Sequence, residues 1–282
     1  MDVHGHSLAE DLEAMMRLAG DRRSALRWLL AGAAAVPLAA CGGDGSVDGS
    51  VASGGTGAAS SGTTGSGSCS AIPEETGGPY PGNGTNSNAS GIVNVLTQAG
   101  VVRSDIRSSF NGASGTAAGI PLTIKLKIVN ANASCAAAGN FAVYLWHCDR
   151  EGRYSLYSQG VTDQNYLRGV QVADADGNLA FTSIFPGCYE GRMPHIHFEV
   201  YRSLAHSSSA ANRIKTSQFT FPLATMNEAY ASPGYASSAS NLSRISFATD
   251  NIFSDGYALQ LGSMSGNPTD GYVVTLTVAV AA

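Results

Sequence analysis

An all-β fold, specifically an antiparallel β-sandwich with long loops, is what this 282-residue chain predicts, and three features carry the prediction. Glycine is abundant, with 34 residues, while only 13% of residues are charged; that balance favours strands and turns over helices with charged outer faces. Short apolar or alternating runs recur between Gly, Asp and Pro turns. Strands at such intervals pack as facing sheets. The chain is long enough for one large or two modest domains, and 44% hydrophobic residues suffice for a real core.

The sandwich is expected over residues 69–282, preceded by an export signal (1–41) and a disordered linker (42–68). Asp21-Arg22-Arg23-Ser24-Ala25-Leu26-Arg27 is a positive region, and an apolar run from Trp28 to Ala40 follows it. The run is too short to span a bilayer as a mature helix and ends in small residues, the pattern of an export signal. Arg22-Arg23 resembles a twin-arginine signal. Leu38-Ala39-Ala40-Cys41 resembles a lipobox, which makes Cys41 the expected lipidation site; a plain secretory signal is the alternative. Both readings place the mature chain outside the cytoplasm, periplasmic or at the cell surface, with a lipid anchor as its only membrane contact. From Gly42 to Ser68 nearly every residue is Gly, Ser, Thr, Ala, Asp or Val, a tether that cannot bury enough surface to fold.

The expected elements follow in order. Cys69 to Pro81 is an extended arm rich in Pro and Gly. Asn94 to Arg107 reads as a strand, a Gly turn and a short extended segment. In Pro121 to Asn130, Leu122, Ile124, Leu126 and Ile128 alternate with Thr123, Lys125 and Lys127, as in a sheet with one wet face. Phe141 to His147, Tyr166 to Val172 and Leu179 to Ile184 are further strands, the last two separated by the turn Asp174-Ala175-Asp176-Gly177. Met193 to Tyr201, Ser217 to Phe221, Ile245 to Phe247 and Gly271 to Ala281 complete the strands, with a short helix across Ala224 to Tyr235.

A net charge of -5 and a pI near 5.6 argue against a nucleic-acid partner, since no basic surplus exists to neutralise phosphates. Beyond Cys41 four cysteines remain, Cys69, Cys135, Cys148 and Cys188. An oxidising compartment permits disulfides among them, and three pairings are open.

The chemistry concentrates in Ile184 to Tyr201, IFPGCYEGRMPHIHFEVY. Successive side chains of a strand point to opposite faces. His195, His197, Glu199 and Tyr201 therefore share one face, and Ile196, Phe198 and Val200 the core face. Two imidazoles side by side suit a shared ion. Tyr189 and Tyr154 raise the interest of the pair, because a strongly Lewis-acidic trivalent ion can ionise a phenol and hold its hard oxygen. Two histidines with two tyrosinates point to iron(III) rather than zinc. His147 reads as a satisfied structural histidine; Glu199 and Tyr201 are expected only to reach a pocket rim or solvent.

The run WHCDREGRY (Trp146 to Tyr154), the strand YLRGVQ, the turn DADG and IFPGCYEGRMPHIHFEV together resemble the intradiol ring-cleavage dioxygenases, the catechol and protocatechuate dioxygenase group. The arm ETGGPY (Glu75 to Tyr80) resembles that family's N-terminal segment, so the likeness covers roughly Cys69 to Ala282. It implies one mononuclear non-haem Fe(III) on a β-sandwich, with Tyr154, Tyr189, His195 and His197 as ligands. It also implies O2 as co-substrate, a small aromatic diol as substrate, and cleavage between the two hydroxylated carbons. Tyr189 is then the ligand that leaves when substrate arrives, and Arg192 the active-site arginine that stabilises anionic character on the ring. Tyr80 and Arg168 become candidates for the substrate pocket. Because Cys148 and Cys188 each stand close to a tyrosine of that site, the favoured pairing is Cys148 with Cys188 and Cys69 with Cys135. The link Glu190 to Pro194 is shorter than in the cytoplasmic enzymes, which implies a more open site, and their N-terminal helical dimerisation region has no counterpart here, so oligomeric state is open. Two other readings compete: a surface-anchored binding module that retains the metal site without catalysis, and a cupin-type oxygenase, for which no second ligand motif is present.

Overall fold

Most of the alternating and apolar runs form strands, in a computed structural model that describes residues 69–282. The expected signal, Cys41 and the linker lie outside the described residues. In chain order the strands are β1 (Asn83–Asn88), β2 (Gly91–Asn94), β3 (Pro121–Asn130), β4 (Ala136–Ala137), β5 (Ala142–Trp146) and β6 (Arg168–Val172). They continue with β7 (Asn178–Ile184), β8 (His195–Tyr201), β9 (Arg213–Thr220), β10 (Ser263–Asn267) and β11 (Gly271–Val280). Two short helices, α1 (Leu223–Tyr230) and α2 (Ala236–Leu242), lie between β9 and β10. The sequence reading expected one helix from Ala224 to Tyr235; the helix ends at Tyr230, ahead of Pro233 and Gly234, the latter at φ +90°, and a second helix starts beyond the expected range at Ala236.

One sheet has the order β6-β5-β8-β9. The other runs β10-β11-β3, with β7 and the short β4 both pairing β3. Leu122, Ile124, Leu126 and Ile128 of β3 face Val143 and Leu145 of β5 and Ile196, Phe198 and Val200 of β8 in one core. The apolar faces read from alternation are those that pack. Strand direction differs at one place, where β11 pairs β3 in parallel, Val274 opposite Ile124 and Val278 opposite Ile128. A period-two pattern is the same read forward or backward, and a parallel pair needs only a long connection. The run Ile245 to Phe247 is not a strand: Asp250 and Thr249 both donate backbone N–H bonds to the Ser246 carbonyl, which closes a turn.

The N-terminal arm crosses both sheets. Ile72 N–H donates to the Ala279 carbonyl and Glu75 N–H to that of Thr216, each at 2.8 Å. The arm then covers the outer face of β5 and β8, where Tyr144 donates its hydroxyl to the Pro81 carbonyl at 2.7 Å. Asn83 donates to Glu199 Oε1 at 2.7 Å, and Tyr201 to Glu199 Oε2 at 2.6 Å. Glu199 and Tyr201 are therefore buried rather than at a rim.

A Cys69–Cys135 disulfide, with Cα atoms 5.5 Å apart, ties the start of the arm beside β4. Cys148 and Cys188 do not pair, contrary to the sequence reading; both are buried free thiols. The Cys148 sulfur is directed at the Gly187 carbonyl and that of Cys188 at the Arg192 carbonyl, so each has a backbone acceptor in place of the other. Burial pushes the Cys188 thiol up to about 12 and that of Cys148 well above its ordinary value, which keeps both protonated and unreactive. Cys135→Ser is expected to lower stability by about 4 kcal/mol, since the bridge closes a long loop, and urea midpoints of the oxidised protein and the variant measure the difference.

Candidate metal centre

Strand register gathers the polar side chains of the outer face into rows. Trp146 is opposite Arg168 on one side and His197 on the other, and His197 is opposite Gln218. The His197 ring stacks on Trp146 with centroids 5.0 Å apart and planes within 4°, which sets its orientation. His195 lies two residues back on the same face. Its Nδ1 is 2.6 Å from the Met193 carbonyl; that bond assigns the proton to Nδ1 and leaves the Nε2 lone pair facing the site. His195 Nε2 is 3.0 Å from His197 Nε2 and 3.2 Å from the Tyr189 hydroxyl.

Tyr154 arrives from the turn after β5. Asp149 builds that turn: its Oδ1 accepts from Glu151 N–H at 3.0 Å and Arg153 N–H at 2.9 Å, and its Oδ2 from Arg153 Nε at 3.0 Å. The Tyr154 N–H then donates to Ser158 Oγ. Gly152, at φ +86°, lets this turn approach the second tyrosine, since a Cβ there would stand 3.0 Å from Tyr189 Cβ. The Tyr154 ring centroid is 5.8 Å from that of Tyr189 and 6.2 Å from that of His197. The structure thus brings together all four side chains named from the sequence.

Their electrostatics suit a cation. Burial lowers both imidazoles well below their usual range, assisted by Arg192 at His195 and by His195 and Arg192 at His197. Both rings are therefore neutral and able to donate a lone pair. Burial raises the Tyr154 phenol well above its ordinary value and Tyr189 to about 12, so a phenolate here requires a positive charge beside it. The Tyr154 hydroxyl is buried without a well-formed hydrogen bond, an orphaned oxygen that a metal would satisfy. Donor separations of 3.0 and 3.2 Å match adjacent ligands of one ion with bonds of about 2.1 Å at right angles. Among the described residues no group of three or more His, Cys, Asp and Glu forms a metal cluster; this donor set contains only two residues of those types.

Arg192 and its partner Asp250 are both buried, with Nε 3.0 Å from Asp250 Oδ2. Gln218 Oε1 accepts from Arg192 Nη2 at 2.7 Å. The sequence reading missed Gln218 and Asp250. Gln218 is one of three polar residues in Ser217 to Phe221 and carries no distinguishing signal, and Asp250 lies in an irregular loop without one. Tyr80 stacks against Tyr154, with ring centroids 5.1 Å apart. Arg168 is instead a clamp: its guanidinium donates to the Pro81 and Ser155 carbonyls, each at 2.9 Å, and to Ser155 Oγ at 3.1 Å, which commits its donors to the arm and the Tyr154 loop.

His147 is buried between the Cys148 carbonyl, 2.7 Å from Nδ1, and Ser183 Oγ, 2.6 Å from Nε2. Burial lowers it to about 4. Unfolding frees it to titrate near 6.5, so the unfolded chain binds more protons between those values and stability falls as pH drops from about 6.5 to about 4. The expected loss from this group is about 3 kcal/mol. Urea midpoints across that range check it, and His147→Gln is expected to flatten the profile.

A β-sandwich that gathers two imidazoles and two phenols on an outer sheet face is the arrangement that the resemblance to the intradiol ring-cleavage dioxygenases implies. Residues 100–213, which include Tyr154, Tyr189, Arg192, His195 and His197, match the family model Dioxygenase_C, described as dioxygenase. It is similar to an intradiol ring-cleavage dioxygenase from Tetranychus urticae, at 24% identity over 75% of this chain and 95% of that one, with a TM-score of 0.58; this likeness concerns the fold. A chlorocatechol 1,2-dioxygenase from Rhodococcus opacus is 44% identical over 46 residues, a stretch that spans 16% of this chain and 18% of that protein.

Proposed function

We propose that this protein is an iron(III)-dependent dioxygenase that cleaves a catechol-type ring between its two hydroxylated carbons with O2. The observation that carries the reading is the convergence of four donors from three separate segments, with His195 Nε2 placed between Tyr189 and His197. Tyr154, Tyr189, His195 and His197 would hold the iron. When bound, the iron supplies a Lewis-acidic centre that draws charge from the catecholate and makes its ring reactive toward O2.

The remaining work falls to the chain. Burial keeps His195 and His197 neutral, and the Met193 carbonyl fixes the first ring and Trp146 the second. Tyr154 is buried, whereas Tyr189 is only half-buried, so Tyr189 is the side chain with room to swing aside as substrate enters. Its oxygen takes up one catechol proton as it does so. Arg192 lies close enough to both phenols to interact with them electrostatically and would stabilise negative charge on the bound ring. The product is a muconic-type diacid.

Purified protein should contain about one iron per chain and show a broad visible band that changes when catechol is added. Labelled O2 should place both oxygen atoms in a ring-opened diacid. Protein that stays colourless after anaerobic reconstitution with iron would overturn the site; coloured protein that opens no catechol would overturn the activity. We further propose that the chain is exported and held by a lipid on Cys41, a reading supported by the Cys69–Cys135 bridge, since disulfides persist in oxidising compartments. Cys41→Ser should move the protein from the membrane to the soluble fraction.

A further inference from the structure

One fully buried charge is left unused by this chemistry. Asp250 is 0% exposed, and its two oxygens receive four donors. Oδ2 accepts from Arg192 Nε at 3.0 Å and Met193 N–H at 2.7 Å; Oδ1 accepts from Ile252 N–H at 2.8 Å and Phe253 N–H at 3.0 Å. We propose that Asp250 is the positioning residue that holds the Arg192 guanidinium against the metal centre, an inference that rests on the functional reading above.

Capping a turn requires only one oxygen, and Oδ1 alone does that for Ile252 and Phe253. The other oxygen is spent on two adjacent residues of the ligand segment. Through Arg192 Nε it sets the guanidinium plane, whose far end Gln218 holds at Nη2. Through Met193 N–H it holds the residue whose carbonyl, one peptide further on, accepts from His195 Nδ1. The loop it caps also carries Phe253, whose ring is 5.9 Å from the Arg192 guanidinium carbon and 6.4 Å from the His195 ring. One carboxylate thus sets the mutual register of the arginine, the first histidine and the aromatic wall. Gln218 is neutral and directs the guanidinium without balancing its charge; Asp250 does both. An asparagine in its place would present its amide donor to two existing donors in either orientation and leave the buried guanidinium without a counter-ion.

The test is a double-mutant cycle between Asp250→Asn and Arg192→Ala, read in two ways. In iron-loaded protein, Asp250→Asn should keep iron and colour and lower kcat by about 30-fold or more, while KM moves by less than about threefold. In the Arg192→Ala background the same substitution should lower kcat by less than about threefold, because the group it positions is gone. Equal losses in both backgrounds, or full turnover in Asp250→Asn, would overturn the proposal. In iron-free protein, the fall in urea midpoint caused by Asp250→Asn should shrink by at least about half when Arg192 is alanine. An additive stability cycle overturns the proposal whether or not the iron-loaded protein turns over; a wild type without iron or ring-opened product overturns the functional reading instead. If Asp250→Asn alone does not fold, the double variant should, since the unpaired charge is removed with its partner. Failure of the double variant to fold would make Asp250 a turn cap only.

Discussion

His195→Ala is expected to abolish iron binding at the proposed centre, with loss of colour and of turnover while the sandwich remains folded. His195 Nε2 is the hub of the donor set, 3.0 Å from one candidate ligand atom and 3.2 Å from another. Disturbing the partners that merely orient ligands commonly costs about 10- to 100-fold in metal affinity, so removal of a ligand should exceed about 100-fold. Tyr154→Phe tests the same centre with a sharper control. It deletes only an oxygen that is buried without a well-formed hydrogen bond, and relieving such a group is neutral or stabilising by about 1 kcal/mol. Iron-free Tyr154→Phe should therefore match or exceed the wild type in urea while binding no iron. Metal content, visible spectra and unfolding midpoints of the two variants decide the matter; retained iron in either variant would refute the ligand assignment.

Arg192→Ala is the second large effect and should separate chemistry from metal binding. The expected outcome is retained iron and colour with kcat lower by about 10²- to 10³-fold, the range for removing one preorganised electrostatic contact. Its stability cost has a different source. The variant leaves Asp250 buried without its cation, a loss of about 3–5 kcal/mol when one partner of such a pair is removed. Metal analysis, steady-state kinetics and urea unfolding of one preparation read all three quantities. Full activity in the variant would refute the role of the guanidinium.

Much of this was legible in the residues. Alternation in Pro121 to Asn130 and His195 to Tyr201 identified strands and their core faces, because a pleated backbone has a period of two that apolar burial makes visible. The same rule put His195 and His197 side by side. Tyr154 and Tyr189 were candidates by residue type, and only a resemblance assigned them as ligands, since nothing local to either tyrosine distinguishes a ligand from a packed aromatic. Three things were not legible. The parallel pairing of β3 and β11 was hidden because alternation carries no direction. The burial of Glu199 and Tyr201 was hidden because the arm that covers them comes from more than a hundred residues earlier. The free state of Cys148 and Cys188 was hidden because proximity to one site does not decide which acceptor each sulfur faces.

The sequence by itself determined the sandwich class, the paired imidazoles and the residue types of the centre, since these depend on period, composition and short motifs. Only the tertiary structure decided that Arg192 is gripped by Asp250 and Gln218 and that Arg168 clamps the arm. It also decided that Tyr154 reaches the histidines across a glycine contact with the Tyr189 loop. The physical reason is common to all three: each depends on a hydrogen bond or close approach between segments far apart in the chain, and such geometry exists only after the sheets have packed.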